Sequence, residues 1–328
     1  MPNIKTKYMG IELNSPIVVA ASSISSFVDR IKLAEQAGAG LLVIRSLFEE
    51  QILLDALKLE EELSYGAESF PEALSYFPEM EFAKADEHLM WIEMARKEVQ
   101  MPLIASLNAV SSGGWVKYAK QLESTGISGL ELNVYAVAAN AKVNGAVIEA
   151  QLYETVEAVI GEVDIPVAVK LSPFYTSIAN VVSELDQRGA RAVVLFNRFL
   201  QPDIDPKTET LVSELVFSSP EEMKLPLRWV ALLYGRVKAD LPLNTGVHSG
   251  LDAARALLAG AQLVQTASSL HQQGVPYIST MIRELEGWME EHDYEDLESF
   301  RGKMSQKETD DPFAFERAQY VKFLLGQQ

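Results

Sequence analysis

Cysteine is absent from the 328 residues. That excludes disulfides, thiolate-bound metals and clusters, and a cysteine nucleophile. Histidine occurs four times, with no HxH, HExxH or three-ligand spacing, so no catalytic metal is expected. Apolar runs of about 18 residues, the length that spans a bilayer, are also missing. The opening MPNIKTKYMGIEL lacks the apolar core of a signal peptide. Basic residues are few: 28 Lys and Arg stand against 46 Asp and Glu, a net charge of −18, which argues against a nucleic-acid partner. Together these absences lead us to expect a soluble cytoplasmic protein with neither membrane nor nucleic acid as partner.

What is present is an apolar chain with a repeating order. Hydrophobic residues make up 48% of it, enough for a large core. The stretch 241–270, LPLNTGVHSGLDAARALLAGAQLVQTASSL, reads as strand, small-residue turn, helix, strand, small-residue turn. Six more apolar strands precede it, at 15–21, 41–46, 102–108, 129–134, 165–173 and 191–197, each followed by a helical pattern. Gly-Ala joints recur before strands in AGAGLLVI, RGARAVVL and AGAQLVQ, as in a parallel α/β protein. Eight such units fit a closed (β/α)8 TIM barrel; the alternative is a doubly wound open sheet, for which no early glycine fingerprint is visible. Long excursions follow strand two (47–101) and strand six (from Arg198). Residues 294–328 read as a helical appendage to one domain spanning 1–328. The excursions and the acidic tail offer surface for a homodimer.

In a barrel, polar residues at the C-terminal strand ends face one mouth. Here these are Arg45, Asn108, Asn133, Lys170 and Asn197, then Thr245 with Gly246, and Thr266. The turns after strands seven and eight are built of small residues, where backbone N–H groups can converge on an anion. Cations and amides around such turns suit an anionic, hydrogen-bonding heterocycle. Lys170 lies within VAVKLSP, a strand otherwise made for a core, and so needs an anion or a solvent-filled mouth. The same lysine in a phosphate-binding barrel would alternatively suit a Schiff-base aldolase.

The segments ELNV (131–134), AVKLSPFY (168–175), LFN (195–197), NTGVHSGLDA (244–253) and QTASSLHQQG (265–274) occur in the order found in the class 1 dihydroorotate dehydrogenases. The chain resembles that family, whose members are FMN-containing (β/α)8 barrels of pyrimidine biosynthesis. The resemblance implies that Ala20, Ala21 and Ser22 lie against FMN. Arg45 falls at a lysine near flavin and substrate, and Asn108 joins the cofactor contacts. Asn133 falls near flavin and substrate, and Asn197 at an asparagine that holds the orotate-like ligand. Lys170 corresponds to a lysine that favours negative charge on the isoalloxazine. Thr245, Gly246, Ala267 and Ser268 match the two phosphate turns.

The reaction carries over less completely than the cofactor. The family's general-base cysteine, or serine in its class 2 members, falls at Ala136, and alanine accepts no proton. Tyr135 is the neighbouring candidate for a catalytic role, with an ordinary pKa near 10. The family's substrate loop is replaced by Ser64–Phe70. The expectation is therefore an FMN-dependent oxidoreductase acting on dihydroorotate or a related small cyclic substrate, with an electron acceptor that the sequence leaves unnamed. The altered base also leaves open a weakly active flavoprotein used for binding.

Overall fold

A computed structural model describes residues 1–48, 85–108, 112–134, 137–199, 201–212, 216–316 and 318–326. An antiparallel hairpin, β1 (Thr6–Tyr8) and β2 (Ile11–Leu13), precedes β3 (Ile17–Val19) and helix α1 (Val28–Gln36). Then come β4 (Leu42–Phe48), α2 (Ala85–Glu98), β5 (Leu103–Asn108), α3 (Ser112–Ser124) and β6 (Gly129–Asn133). They are followed by α4 (Gly145–Ile160), β7 (Val167–Leu171), α5 (Ile178–Gln187) and β8 (Ala192–Leu195). A second hairpin, β9 (Asp203–Asp205) with β10 (Thr210–Val212), leads to α6 (Lys224–Leu233) and β11 (Leu243–Asn244). The chain continues through α7 (Gly250–Ala259), β12 (Val264–Thr266), α8 (Ser268–Gln273), α9 (Tyr277–Glu291) and α10 (Ala318–Leu325).

Strands β3 to β8, β11 and β12 form a closed parallel barrel, ordered β11-β12-β3-β4-β5-β6-β7-β8. Leu243 opposite Leu195 closes the ring. These are the eight strands expected from the sequence. β3, β7 and β8, for example, are buried on both faces, which is why they read as continuous apolar runs. The Gly-Ala joints have one cause. Gly38, Gly189 and Gly260 end helices at φ of +92°, +95° and +110°, where a Cβ would be strained. The following alanine N–H reaches back to a carbonyl of the last turn: Ala39 to Ala34 (3.0 Å), Ala190 to Leu185 (3.1 Å) and Ala261 to Ala256 (2.9 Å). The chain thereby leaves each helix already directed into the next strand.

Three parts go beyond the sequence reading. The β1–β2 hairpin, too short for a hydrophobic period to register, packs Tyr8, Met9 and Leu13 against barrel residues Val18, Val43, Ile104, Ala168, Val194 and Leu263. The β9–β10 hairpin lies in the second excursion, and α6 begins at Lys224, earlier than the pattern RWVALLYGRVKA suggested. Residues 294–306 are largely turns rather than helix. They are knitted to the barrel by N–H bonds from Gly302 to Leu257 (2.9 Å), Met304 to Leu258 (2.8 Å) and Gln306 to Ala231 (2.9 Å). In the first excursion α2 takes the helical pattern FAKADEHLMWIEMARKEV. Residues 49–84 of this excursion, with the rest of the helical pattern that starts at Phe48 (48–63) and the aromatics Tyr65, Phe70, Tyr76 and Phe77, lie outside the described residues. Among the described residues, no helix is long and apolar enough to cross a membrane.

Candidate functional site in the barrel mouth

Strand registers place the polar residues. Ser106 lies opposite Glu131, Glu131 opposite Ala168, and Lys170 opposite Asn133 and Val194. Ala168 and Val194 belong to the barrel-interior cluster, so Glu131 and Lys170 point inward with them. Gln265 does the same opposite interior Val18. The three side chains meet. Lys170 Nζ donates to Glu131 Oε1 (3.3 Å) and to Gln265 Oε1 (3.2 Å), and Gln265 Nε2 donates to Glu131 Oε2 (2.7 Å). Lys170 is 5% exposed and Glu131 and Gln265 are 1% exposed, so this is a buried ion pair with an amide completing the triangle. An ammonium has three donors. Two are engaged here among the described residues.

The amides lie at the strand ends. Asn197 Nδ2 donates to Asn133 Oδ1 (2.9 Å), which joins strands four and six of the barrel across Lys170. Asn108 is buried at the end of β5. Arg45 is placed differently. A β-bulge sets Arg45 and Ser46 together between Ile44 and Leu47, whose partners Ala105 and Leu107 are separated by Ser106 alone. Ser46 faces Ser106 (Oγ–Oγ 2.7 Å), while Arg45 lines a cavity of about 400 Å³ with Ser26, Glu87, His88 and Trp91. Burial lowers the Arg45 pKa. Burial and the nearby Arg45 charge also depress His88, to about 4. His88 Nε2 is buried with no hydrogen-bond partner among the described residues. The structure thus brings Asn133, Lys170 and Asn197 together, whereas the bulge sets Arg45 beside His88.

The two small-residue turns flank the mouth. Gly246 has φ of +78°, and a Cβ there would come within 2.3 Å of Met223 N, so the close approach of the preceding loop also requires glycine. Thr245 has φ of +85°, and its hydroxyl donates to Phe196 O (3.2 Å). Ser268 and Ser269 open α8, where N–H groups have no intrahelical acceptor. Thr266 Oγ1 reaches Val247 O (2.9 Å) and Ser269 Oγ (2.7 Å), tying one turn to the other. The second excursion folds over both. Ser218 N donates to Ser268 Oγ (3.0 Å), Ser218 Oγ lies 3.3 Å from His248 Nε2, and Phe217 stacks on His271 (5.4 Å). Burial lowers His271 below its ordinary pKa.

At strand one, Ala20 N donates to Thr266 O (2.9 Å), Ala21 packs on the interior cluster, and Ser22 Oγ caps the short helical turn at Ser23–Ser26. Ala267 precedes α8 as its N-cap. Tyr135 and Ala136 lie outside the described residues, as does the segment Ser64–Phe70. The sequence reading passed over Glu131 and Gln265. Their signal was a charge and an amide at inward positions of otherwise apolar strands, the same signal that singled out Lys170.

A family model for dihydroorotate dehydrogenase matches residues 80–289, which span the triad, both amide strands and both turns. The chain belongs to the dihydroorotate dehydrogenase family. It is 25% identical over 307 residues to a dihydroorotate dehydrogenase B (NAD(+)) catalytic subunit of Methanothermobacter thermautotrophicus, covering 87% of this chain and 93% of that one. The corresponding Methanosarcina acetivorans protein is 26% identical over 309 residues, 89% of this chain and 93% of its own. A dihydroorotate dehydrogenase A (fumarate) of Limosilactobacillus reuteri is 30% identical over 203 residues, 58% of this chain and 63% of its own.

Proposed function

We propose that this family member binds FMN in the barrel mouth and oxidises dihydroorotate or a closely related small cyclic substrate. The observation that carries this reading is Lys170, held inside the barrel with one ammonium donor unengaged among the described residues. The donor set fits the cofactor: a cation and paired amides for the ring system, and a helix start beside a small-residue turn for the phosphate. The candidate cofactor contacts remain Ala20, Ala21, Ser22, Arg45, Asn108, Asn133, Lys170, Thr245, Gly246, Ala267 and Ser268. The candidate substrate contacts are Arg45, Asn133 and Asn197. FMN, when bound, supplies a two-electron acceptor for the C–H bond being oxidised.

The chain's own residues would bind and orient. Lys170 provides positive charge and a hydrogen bond where negative charge builds up on reduction. Asn197 and Asn133, already bonded to each other, present the remaining amide donor and acceptor capacity to a planar polar ring. Proton removal is assigned to Tyr135 or to water, since Ala136 stands where the family has its base. Loss of a general base ordinarily costs about 10²–10⁴ in rate. Slow turnover with dihydroorotate is therefore expected. The electron acceptor is sought among those in the relatives' names, fumarate and NAD⁺.

Lys170 supports this reading over a Schiff-base aldolase. An amine engaged by a carboxylate and an amide inside the barrel is held as a charged donor, whereas a Schiff-base nucleophile attacks through its lone pair. The test is direct. Protein purified after FMN loading should be yellow, and anaerobic dihydroorotate should bleach it. Protein that retains no FMN would sink the flavin reading. Flavin bleached only by another cyclic amide or enone donor would move the substrate away from dihydroorotate.

A further inference from the structure

Lys170 is not a free cation. A full negative charge sits 3.3 Å from its ammonium, and Gln265 bonds to both partners. Each of the three lies on a different strand: Glu131 on β6, Lys170 on β7 and Gln265 on β12. Strand β12 is separated from β6 by β3, β4 and β5, so the triad spans the barrel interior rather than linking neighbours. A buried ion pair of this kind is a poor source of stability, because desolvation offsets most of the attraction. What it does supply is a fixed location for the ammonium and a nearby charge of opposite sign. In a site away from bulk solvent both matter, since charges a few ångströms apart interact strongly there.

We infer that Glu131 is a positioning residue that sets how strongly Lys170 acts on a bound flavin, with Gln265 holding the carboxylate in place. The inference rests on the flavin reading above. Glu131 fixes the ammonium so that its third donor faces the mouth, and it offsets the ammonium's charge. The flavin therefore receives a hydrogen bond with less net positive field than a lone lysine would give. Gln265, uncharged, contributes geometry without altering that balance.

Potentiometric titration of the FMN-loaded protein tests this. Glu131→Gln keeps the shape and removes the negative charge. It should favour reduced over oxidised FMN about tenfold more than the unaltered protein does. For a two-electron couple that is an upward shift of roughly 30 mV. In a Lys170→Met background the same Glu131→Gln change should shift the ratio by less than about threefold, because a buried carboxylate left without its cation takes up a proton and has no charge to lose. A purely structural Glu131 would lower thermal stability and leave the potential where it was.

If Glu131→Gln does not fold, Glu131→Asp retracts the carboxylate and should move the potential the same way by about two- to threefold. FMN bound normally by the unaltered protein, with no shift in the variant that folds, overturns the inference and leaves the flavin reading intact. An equal shift in the Lys170→Met background overturns it too. Failure of the unaltered protein to take up FMN removes both together.

Discussion

The two ends of one barrel interior are built from opposite materials. At the N-terminal end, Tyr8, Met9 and Leu13 of the hairpin close over Val18, Val43, Ile104, Ala168, Ala192 and Leu263, an almost wholly apolar plug. Toward the C-terminal end the same strands present Ser46 with Ser106, the triad of Glu131, Lys170 and Gln265, and Asn133 bonded to Asn197 beyond β8. On β7, Ala168 and Lys170 share the inward face two residues apart, so the change occurs within one step of the pleat. The difference teaches where each kind of substitution acts. The lower end fixes the fold by excluding water, and the upper end holds charge that the fold alone does not require.

The strongest way to break the contrast is to make the upper end behave like the lower. Lys170→Met leaves Glu131 buried without its cation, and should destabilise by about 3–5 kcal/mol in urea unfolding. Adding Glu131→Leu should recover most of that loss, since an apolar replacement of both partners removes the unpaired charge. FMN affinity should fall to the same extent in both variants, so that filling the site takes excess FMN. If the double variant regains FMN binding as well as stability, the triad is a packing element only.

The converse change is made at the lower end. Ile104→Ala opens a cavity in a position 1% exposed, at a cost of about 3 kcal/mol. FMN affinity at the mouth should change by less than about threefold, because the site is built on the opposite end of the strands. A parallel loss of stability and of FMN binding would show that the two ends are mechanically coupled.

How much of this contrast was readable beforehand follows from local chemistry. Lys170 stood out because a charge inside VAVKL conflicts with a buried strand. Glu131 in the middle of GLELN and Gln265 in the middle of VQT carry the same conflict, and the same reasoning applies to them. The barrel itself was legible from strand–helix alternation and from the Gly-Ala joints, which encode a left-handed helix end. The β-bulge at Arg45 was not legible. A bulge depends on two residues of one strand facing a single residue of its neighbour, and nothing in IRSLF announces the mismatch with ASLN. The hairpin plug was also missed, because its three-residue strands fall below the length at which a period of two is detectable.

Acid sharpens the comparison from the upper end's outer wall. His88 is buried beside Arg45 and holds a pKa near 4 against an ordinary 6.5, with burial the larger cause. The unfolded chain therefore takes up this proton first as pH falls. Stability contributed by neutral His88 is complete above about pH 6.5 and is lost progressively toward pH 4, about 3 kcal/mol in all. His88→Leu should flatten that part of the stability–pH curve measured by urea unfolding. An unchanged slope would assign the acid sensitivity to carboxylates instead.

The smallest expected effect lies on the helix that follows the small-residue turn at Thr245–Gly246. Ser249 caps α7, its hydroxyl accepting from Asp252 N (3.1 Å) while donating to Asp252 Oδ2 (2.9 Å). Asp252 in turn accepts from His248 N (3.0 Å), so this cap fixes the turn that begins at Thr245. Ser249→Ala should cost about 1 kcal/mol, the usual value of an N-cap. If the turn grips a phosphate, added FMN should restore much of the lost melting temperature, because ligand binding to the folded state offsets the missing cap by mass action. FMN that stabilises the unaltered protein but gives Ser249→Ala markedly less would indicate that the cap shapes the grip. Equal stabilisation of both would confine Ser249 to the helix end.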